Sequence, residues 1–201
     1  MRLSAFGLAL ALLLSCQAAA PQVDKAKMLG NASAPMTLEV YSSYDCPHCK
    51  IMHENEMPLL MKDFVVPGKI CVVNREFPLS GPGHPYAREA ANYATAAARI
   101  NKFEQVADAL FKNQMSWAMN GKVWDTVASV LTPAEQAKVQ ALSKDPGVQA
   151  EVQRDLDAGI AGGITSTPST IIVYKGRRYP ALAHAQSYEL FKQYLTQVLA
   201  H

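Results

Sequence analysis

Met36-Thr37-Leu38-Glu39-Val40-Tyr41, followed after four residues by Cys46-Pro47-His48-Cys49, is the stretch on which the fold turns. The first six residues are mostly apolar and β-favouring and read as a strand. Lys50 to Phe64 reads as a helix, so the two cysteines stand at a strand-to-helix junction. Two thiols at C-x-x-C spacing can close a disulfide within one helical turn. A helix N-terminus carries partial positive charge and free N–H donors, which favour the thiolate of Cys46. Pro47 suits the first helical position, where its missing N–H costs nothing. A cationic or hydrogen-bonding His48 beside the first sulfur would depress its pKa further. The chemistry this pattern predicts is thiol–disulfide exchange.

Outward toward the N-terminus, residues 1–20 read as an export signal. Arg2 supplies a short positive region and Leu8 to Leu14 an unbroken small and apolar run, too short to span a bilayer. Two processing routes compete. Leu13-Leu14-Ser15-Cys16 resembles a bacterial lipobox, which would anchor the protein through a lipid on Cys16; Ala18-Ala19-Ala20 resembles an ordinary cleavage site, with Pro21 a poor neighbour for it. Either route predicts a periplasmic or other extracytoplasmic location, where a disulfide persists without constant reduction. Residues 21–34 read as a polar tether. The remaining chain suffices for one domain with a sizeable core.

The full chain of 201 residues carries a formal net charge of +2 and shows no basic stripe, so nucleic acid is not an expected partner. Four cysteines do not make a disulfide scaffold. Cys71, inside Lys69-Ile70-Cys71-Val72-Val73, reads as a buried thiol in a strand.

Toward the C-terminus, Pro67-Gly68 makes a turn and Ile70 to Glu76 a second strand. From Pro85 to about Gly162 the chain turns helical and alanine-rich. Thr132-Pro133-Ala134-Glu135 has the pattern of a capping box, and Asp145-Pro146 opens another helix that Gly162-Gly163 closes. Ser169 to Tyr174 and Arg177 to Ala181 read as a strand pair, and Ser187 caps a last amphipathic helix. The pattern β-α-β, helical block, β-β-α predicts an α/β sheet with an inserted all-helical subdomain. Trp117 and Trp124 fall in that block and read as packing residues.

The chain resembles the DsbA-like thiol–disulfide oxidoreductases of the thioredoxin superfamily, from about Pro35 to the C-terminus. The resemblance rests on Tyr41 to Cys49, on Arg75-Glu76-Phe77-Pro78-Leu79 with His84-Pro85, on Ala107-Asp108-Ala109-Leu110-Phe111, and on Thr167-Pro168-Ser169-Thr170. It implies a thioredoxin-like fold over 35–201 with the helical insertion at about 85–163. It makes Cys46 the sulfur that exchanges with substrate, Cys49 the resolving thiol, and Pro47 and His48 their tuning dipeptide. Pro168 would be a cis-proline facing them, with Thr167 offering its backbone to an extended substrate. Two positions depart from the family pattern. Val40 stands where a buried acid is common, with Glu39 one residue earlier and, by strand alternation, on the other face. Ser166 stands where a glycine often precedes Thr-Pro.

The expected activity is therefore that of an exported dithiol oxidase, with no cofactor beyond the Cys46–Cys49 disulfide and no metal. It would act on reduced, unfolded exported proteins as a monomer, and a membrane partner would reoxidise it. The alternatives are a periplasmic disulfide reductase, and a copper or other metal chaperone using Cys46, Cys49 and His53. His84 reads as a residue at the start of a helix.

Overall fold

The computed structural model describes residues 25–183 and 187–201. The export signal, Cys16 and the first residues of the tether lie outside them.

Among the described residues six strands form one sheet: β1 (Met28–Leu29), β2 (Met36–Ser42), β3 (Ile70–Glu76), β4 (Ser169–Tyr174), β5 (Arg177–Arg178) and β6 (Leu182–Ala183). The order is β1-β3-β2-β4-β5, with β6 also on β4. β2 lies at the centre, parallel to β3 and antiparallel to β4. A parallel pair requires a crossover, and the segment from Pro47 to Val65 supplies it. This segment runs as α1 (Pro47–Ile51), a π-helical stretch (Met52–Glu56), α2 (Met57–Leu60) and a second π-helical stretch (Met61–Val65). Pro58 has no N–H for an i−4 partner, and the wider winding just before it accommodates its ring. The segment's apolar residues Met52, Met57, Leu60 and Phe64 pack on Leu38, Val40, Ile70 and Val72, together with α9 (Tyr188–Leu199).

Between β3 and β4 the chain forms α3 (Ala87–Ala98), α4 (Phe103–Lys112), α5 (Gln114–Asn120), α6 (Val123–Ala128), α7 (Pro133–Ser143) and α8 (Pro146–Ala161). This is the helical block expected within an α/β sheet. The alanines of α3 allow close helix approach around Val106, Leu110, Val123, Val127 and the fully buried Trp117. Trp124 packs on Tyr93. Thr132 and Glu135 close the capping box on α7, and the Asp145 carboxylate caps α8. The same apolar cluster includes Tyr44, Cys46 and Cys49, so the helical block reaches the C-x-x-C turn.

One expectation is corrected. Where it is described, the stretch read as a tether is part of the fold. Residues 25–27 form a 3-10 turn, and β1 pairs antiparallel with β3. Lys27 is 2% exposed; its ammonium donates to Thr95 Oγ1 at 2.9 Å and lies 3.2 Å from Glu151, 3.5 Å from Asp155 and 3.6 Å from Glu76. Polarity in the sequence suggested solvent, but buried carboxylates from β3 and α8 receive the charge instead.

Candidate active site

Cys46 is the extended residue at the start of α1, and Pro47 occupies the first turn. Pro47 and His48 are exposed, whereas Cys46 and Cys49 are 5% and 1% exposed. Both are free thiols, so this is the dithiol form. The Ser43 N–H points to Cys49 Sγ at 3.5 Å. Across the site, Cys46 Sγ donates to the carbonyl oxygen of Thr167 at 3.3 Å, and the Thr167–Pro168 peptide bond is cis. Two segments 121 residues apart in sequence thus meet at one sulfur.

The two thiols are driven in opposite directions. A hydrogen bond from Cys49 holds Cys46 as thiolate; burial opposes this, and the Thr167 side chain and the N–H groups of Cys49 and His48 reinforce it, leaving Cys46 at about 5. Burial raises Cys49 well above the ordinary thiol range, and the adjacent Cys46 adds to the rise. The backbone N–H of His48 is thus one of the groups that lower Cys46, while its side chain is exposed. Cys71 is buried in β3, and burial raises its pKa as well.

Several residues without an expected role support the turn. Gln114 Nε2, on α5, donates to the carbonyls of Tyr44 at 2.6 Å and Cys46 at 3.0 Å. Lys50 Nζ donates to the Phe111 carbonyl at 2.9 Å. Asp45 accepts from Ser43 Oγ at 2.5 Å and pairs with His84 Nδ1 at 2.7 Å. His84 is thus a partner of the residue before Cys46 and not only a residue at the start of a helix.

The metal alternative is not what the geometry forms. His53 Nε2 lies 2.6 Å from Asp108 Oδ1, and its ring stacks on Phe111 at 4.6 Å. Among the described residues no group of three or more His, Cys, Asp or Glu side chains is placed to hold a metal.

Glu39 takes the opposite face of β2 from Val40, as alternation requires. It is buried and paired, 3.1 Å from Arg75 and 2.6 Å from Arg178. Arg75 also donates to Asp155 at 2.9 Å. A carboxyl residue of β3, Glu76, lines the same cavity as Cys49. This cavity of about 30 Å³ is lined by Val40, Ser42, Tyr44, Cys49, Met52, Glu76 and neighbours. Burial pushes Glu76 up to about 7, against the pull of Lys27.

A family model described as Thioredoxin matches residues 22–197. The chain belongs to the thioredoxin family. Among solved structures, this thioredoxin-family chain superposes on BdbD from Bacillus subtilis with a TM-score of 0.72, at 22% identity, covering 90% of this chain and 96% of that one. It superposes on alpha-DsbA1 of Wolbachia pipientis with a TM-score of 0.70, at 20% identity, covering 87% and 90%. These matches show the thioredoxin-like fold of DsbA-type structures. In sequence, the Bacillus subtilis disulfide bond formation protein D is 25% identical over 158 residues, 76% of this chain and 69% of its own length. A Rickettsia felis protein, provisionally named a protein-disulfide oxidoreductase, is 27% identical over 153 residues, 74% of this chain and 53% of its own length. The chain thus spans about half the length of that relative.

Proposed function

We propose that this protein is an exported thiol–disulfide oxidoreductase that donates a Cys46–Cys49 disulfide to reduced client proteins. The observation that carries the reading is the opposed tuning of the two thiols, with Cys46 at about 5 and Cys49 raised. A client thiolate attacks Cys46 Sγ, a client–Cys46 bond forms, and Cys49 leaves with the electron pair and takes up a proton. The client's second thiolate attacks the client sulfur of the mixed disulfide and expels Cys46 as thiolate. The client loses two electrons and the enzyme gains them. A leaving group with a low pKa leaves fast and stabilises the reduced enzyme, which makes the disulfide oxidising.

The Thr167 backbone beside Cys46 is suited to pairing with an extended client segment as an added strand. Export, action on unfolded exported clients as a monomer, and reoxidation by a membrane quinone-linked partner belong to the same proposal. Among the described residues no helix is long and apolar enough to cross a membrane.

The test is the equilibrium potential of the Cys46–Cys49 pair in glutathione buffers. The expected value lies nearer the oxidising end of the C-x-x-C range, about −120 mV, than the thioredoxin end, about −270 mV. A value at the reducing end would overturn the oxidase direction and support a reductase.

A further inference from the structure

We propose that Glu76 is the proton reservoir of Cys49, exchanging its proton with the resolving thiol through a water held in the cavity they share. The inference rests on the exchange role proposed above for Cys46 and Cys49.

Cys49 is 1% exposed, so a thiolate leaving there has no direct access to solvent and must be protonated from within the protein. Val40, which stands below Cys49 on β2, cannot supply a proton, and Glu39 is directed away into its pairs with Arg75 and Arg178. Parallel pairing places Ser42 opposite Glu76 at the ends of β2 and β3, and this register carries the Glu76 side chain to the cavity wall beside Cys49. A space of about 30 Å³ exceeds the ~10–15 Å³ that one water requires. Residues that carry the polar groups such a water needs, Glu76, Tyr44, Ser42 and Cys49, line this space. Tyr44 donates to Glu76 Oε1 at 3.4 Å and fixes one carboxyl oxygen.

The charges around Glu76 suit a group that must work in both states. Lys27 from the N-terminal turn stabilises the carboxylate, while Asp155 and Glu151 from α8 oppose it. Asp155 is itself held by Arg75 and by the Glu76 N–H at 3.2 Å. The resulting value of about 7 is where a general acid–base group is most useful near neutral pH. In the forward step the Cys46–Cys49 bond breaks, the Cys49 sulfur takes the electron pair, and the proton passes from Glu76 through the water to that sulfur. When a mixed disulfide at Cys46 is resolved, the Cys49 thiol returns the proton to the Glu76 carboxylate as its sulfur attacks Cys46; the Cys46–Cys49 bond forms, the bond from Cys46 to the client or glutathione sulfur breaks, and that sulfur leaves as thiolate with the electron pair.

The experiment follows the reaction of the oxidised protein with reduced glutathione, and the reverse resolution of the Cys46–glutathione mixed disulfide, by acid quench and mass analysis across pH. Rates are expressed per glutathione thiolate. In the wild type the forward rate should fall as pH rises through about 7, and the resolution rate should rise through the same value. Glu76→Gln should flatten both profiles and slow each favoured limb about tenfold or more, while the ultraviolet thiolate titration of Cys46 stays in place. Glu76→Asp should restore the pH dependence. A wild-type profile with no ionisation near 7, or a Glu76→Gln profile matching the wild type, would overturn the relay; the first of these needs no variant to fold. Complete absence of exchange in the wild type would remove the exchange reading and the relay with it.

Discussion

The Cys46 sulfur donates to the carbonyl oxygen of Thr167 at 3.3 Å, while the buried Thr167 hydroxyl, bonded to no oxygen or nitrogen among the described residues, favours the Cys46 thiolate. The two oxygens of one residue therefore suit two states of one sulfur. The carbonyl accepts from the thiol. When Cys46 ionises that donation is lost, and the hydroxyl is the group able to turn and donate to the thiolate.

Thr167→Val removes this donor while keeping the side-chain shape. Hydrogen bonds to charged groups contribute about 1.5–3 kcal/mol, so the Cys46 pKa should rise by roughly one unit or more. Ultraviolet thiolate absorbance against pH measures it, with Thr167→Ser as the variant that keeps the wild-type value. An unmoved titration in Thr167→Val would leave Cys49 and the helix N–H groups to account for the whole depression.

The stability difference between reduced and oxidised protein should depend on pH. The Cys46 value in the fold, about 5, lies below its ordinary 9.0, so the contribution is complete above about 9 and lost as pH falls through about 5. The oxidised form lacks this ionisation. Glu76 works the other way, because its value of about 7 lies above the ordinary 4.5 and ionising it costs stability as pH rises between them. To the extent that this cost is the same in both redox forms, it cancels from their difference. Urea denaturation with and without reductant should show the difference moving toward the reduced protein as pH rises from about 5 toward 9. A constant difference over that range would contradict the tuning of Cys46.

His84→Ala leaves the Asp45 carboxylate, 5% exposed, without its 2.7 Å partner beside the first cysteine. The expected cost is about 1–3 kcal/mol in chemical denaturation, accompanied by a rise in the Cys46 pKa, since an uncompensated negative charge opposes a second one nearby. Combining it with Asp45→Asn should recover most of both effects. If the double variant is as impaired as the single, the pair acts through loop packing and not through charge.

Arg75→Met deprives Glu39 and Asp155 of their shared guanidinium in the interior. Breaking a buried pair from one side costs about 3–5 kcal/mol. Glu39→Gln should cost less, because an amide can still accept from Arg75 and Arg178. Equal losses for the two variants in denaturation would show that packing dominates the cluster.

The C-x-x-C turn, its helix, the strand order in sequence and the Thr-Pro segment were legible because each rests on local rules: thiol spacing, proline at a helix start, alternation in strands, caps. Cys71 as a buried thiol and the opposed faces of Glu39 and Val40 followed from the same periodicity. Gln114, Asp45 with His84, and Lys27 were not legible, since each acts on a partner 39 or more residues away. Glu76 carried a faint signal, as a charged residue ending an apolar strand.

What the linear chain settles, then, is which sulfur begins the helix and which lies one turn inside it. Propensity and capping act over a few residues and need no distant partner. The pairing of β2 with β3 and of β2 with β4, and the docking of the helical block, settle the rest. They bring Thr167 to Cys46, carry Lys27 into the interior, and set Glu76 on the wall of a water-sized space beside Cys49. A buried charge is tolerated only where opposite charges and donors from separate segments converge, and that convergence exists only once the chain has folded.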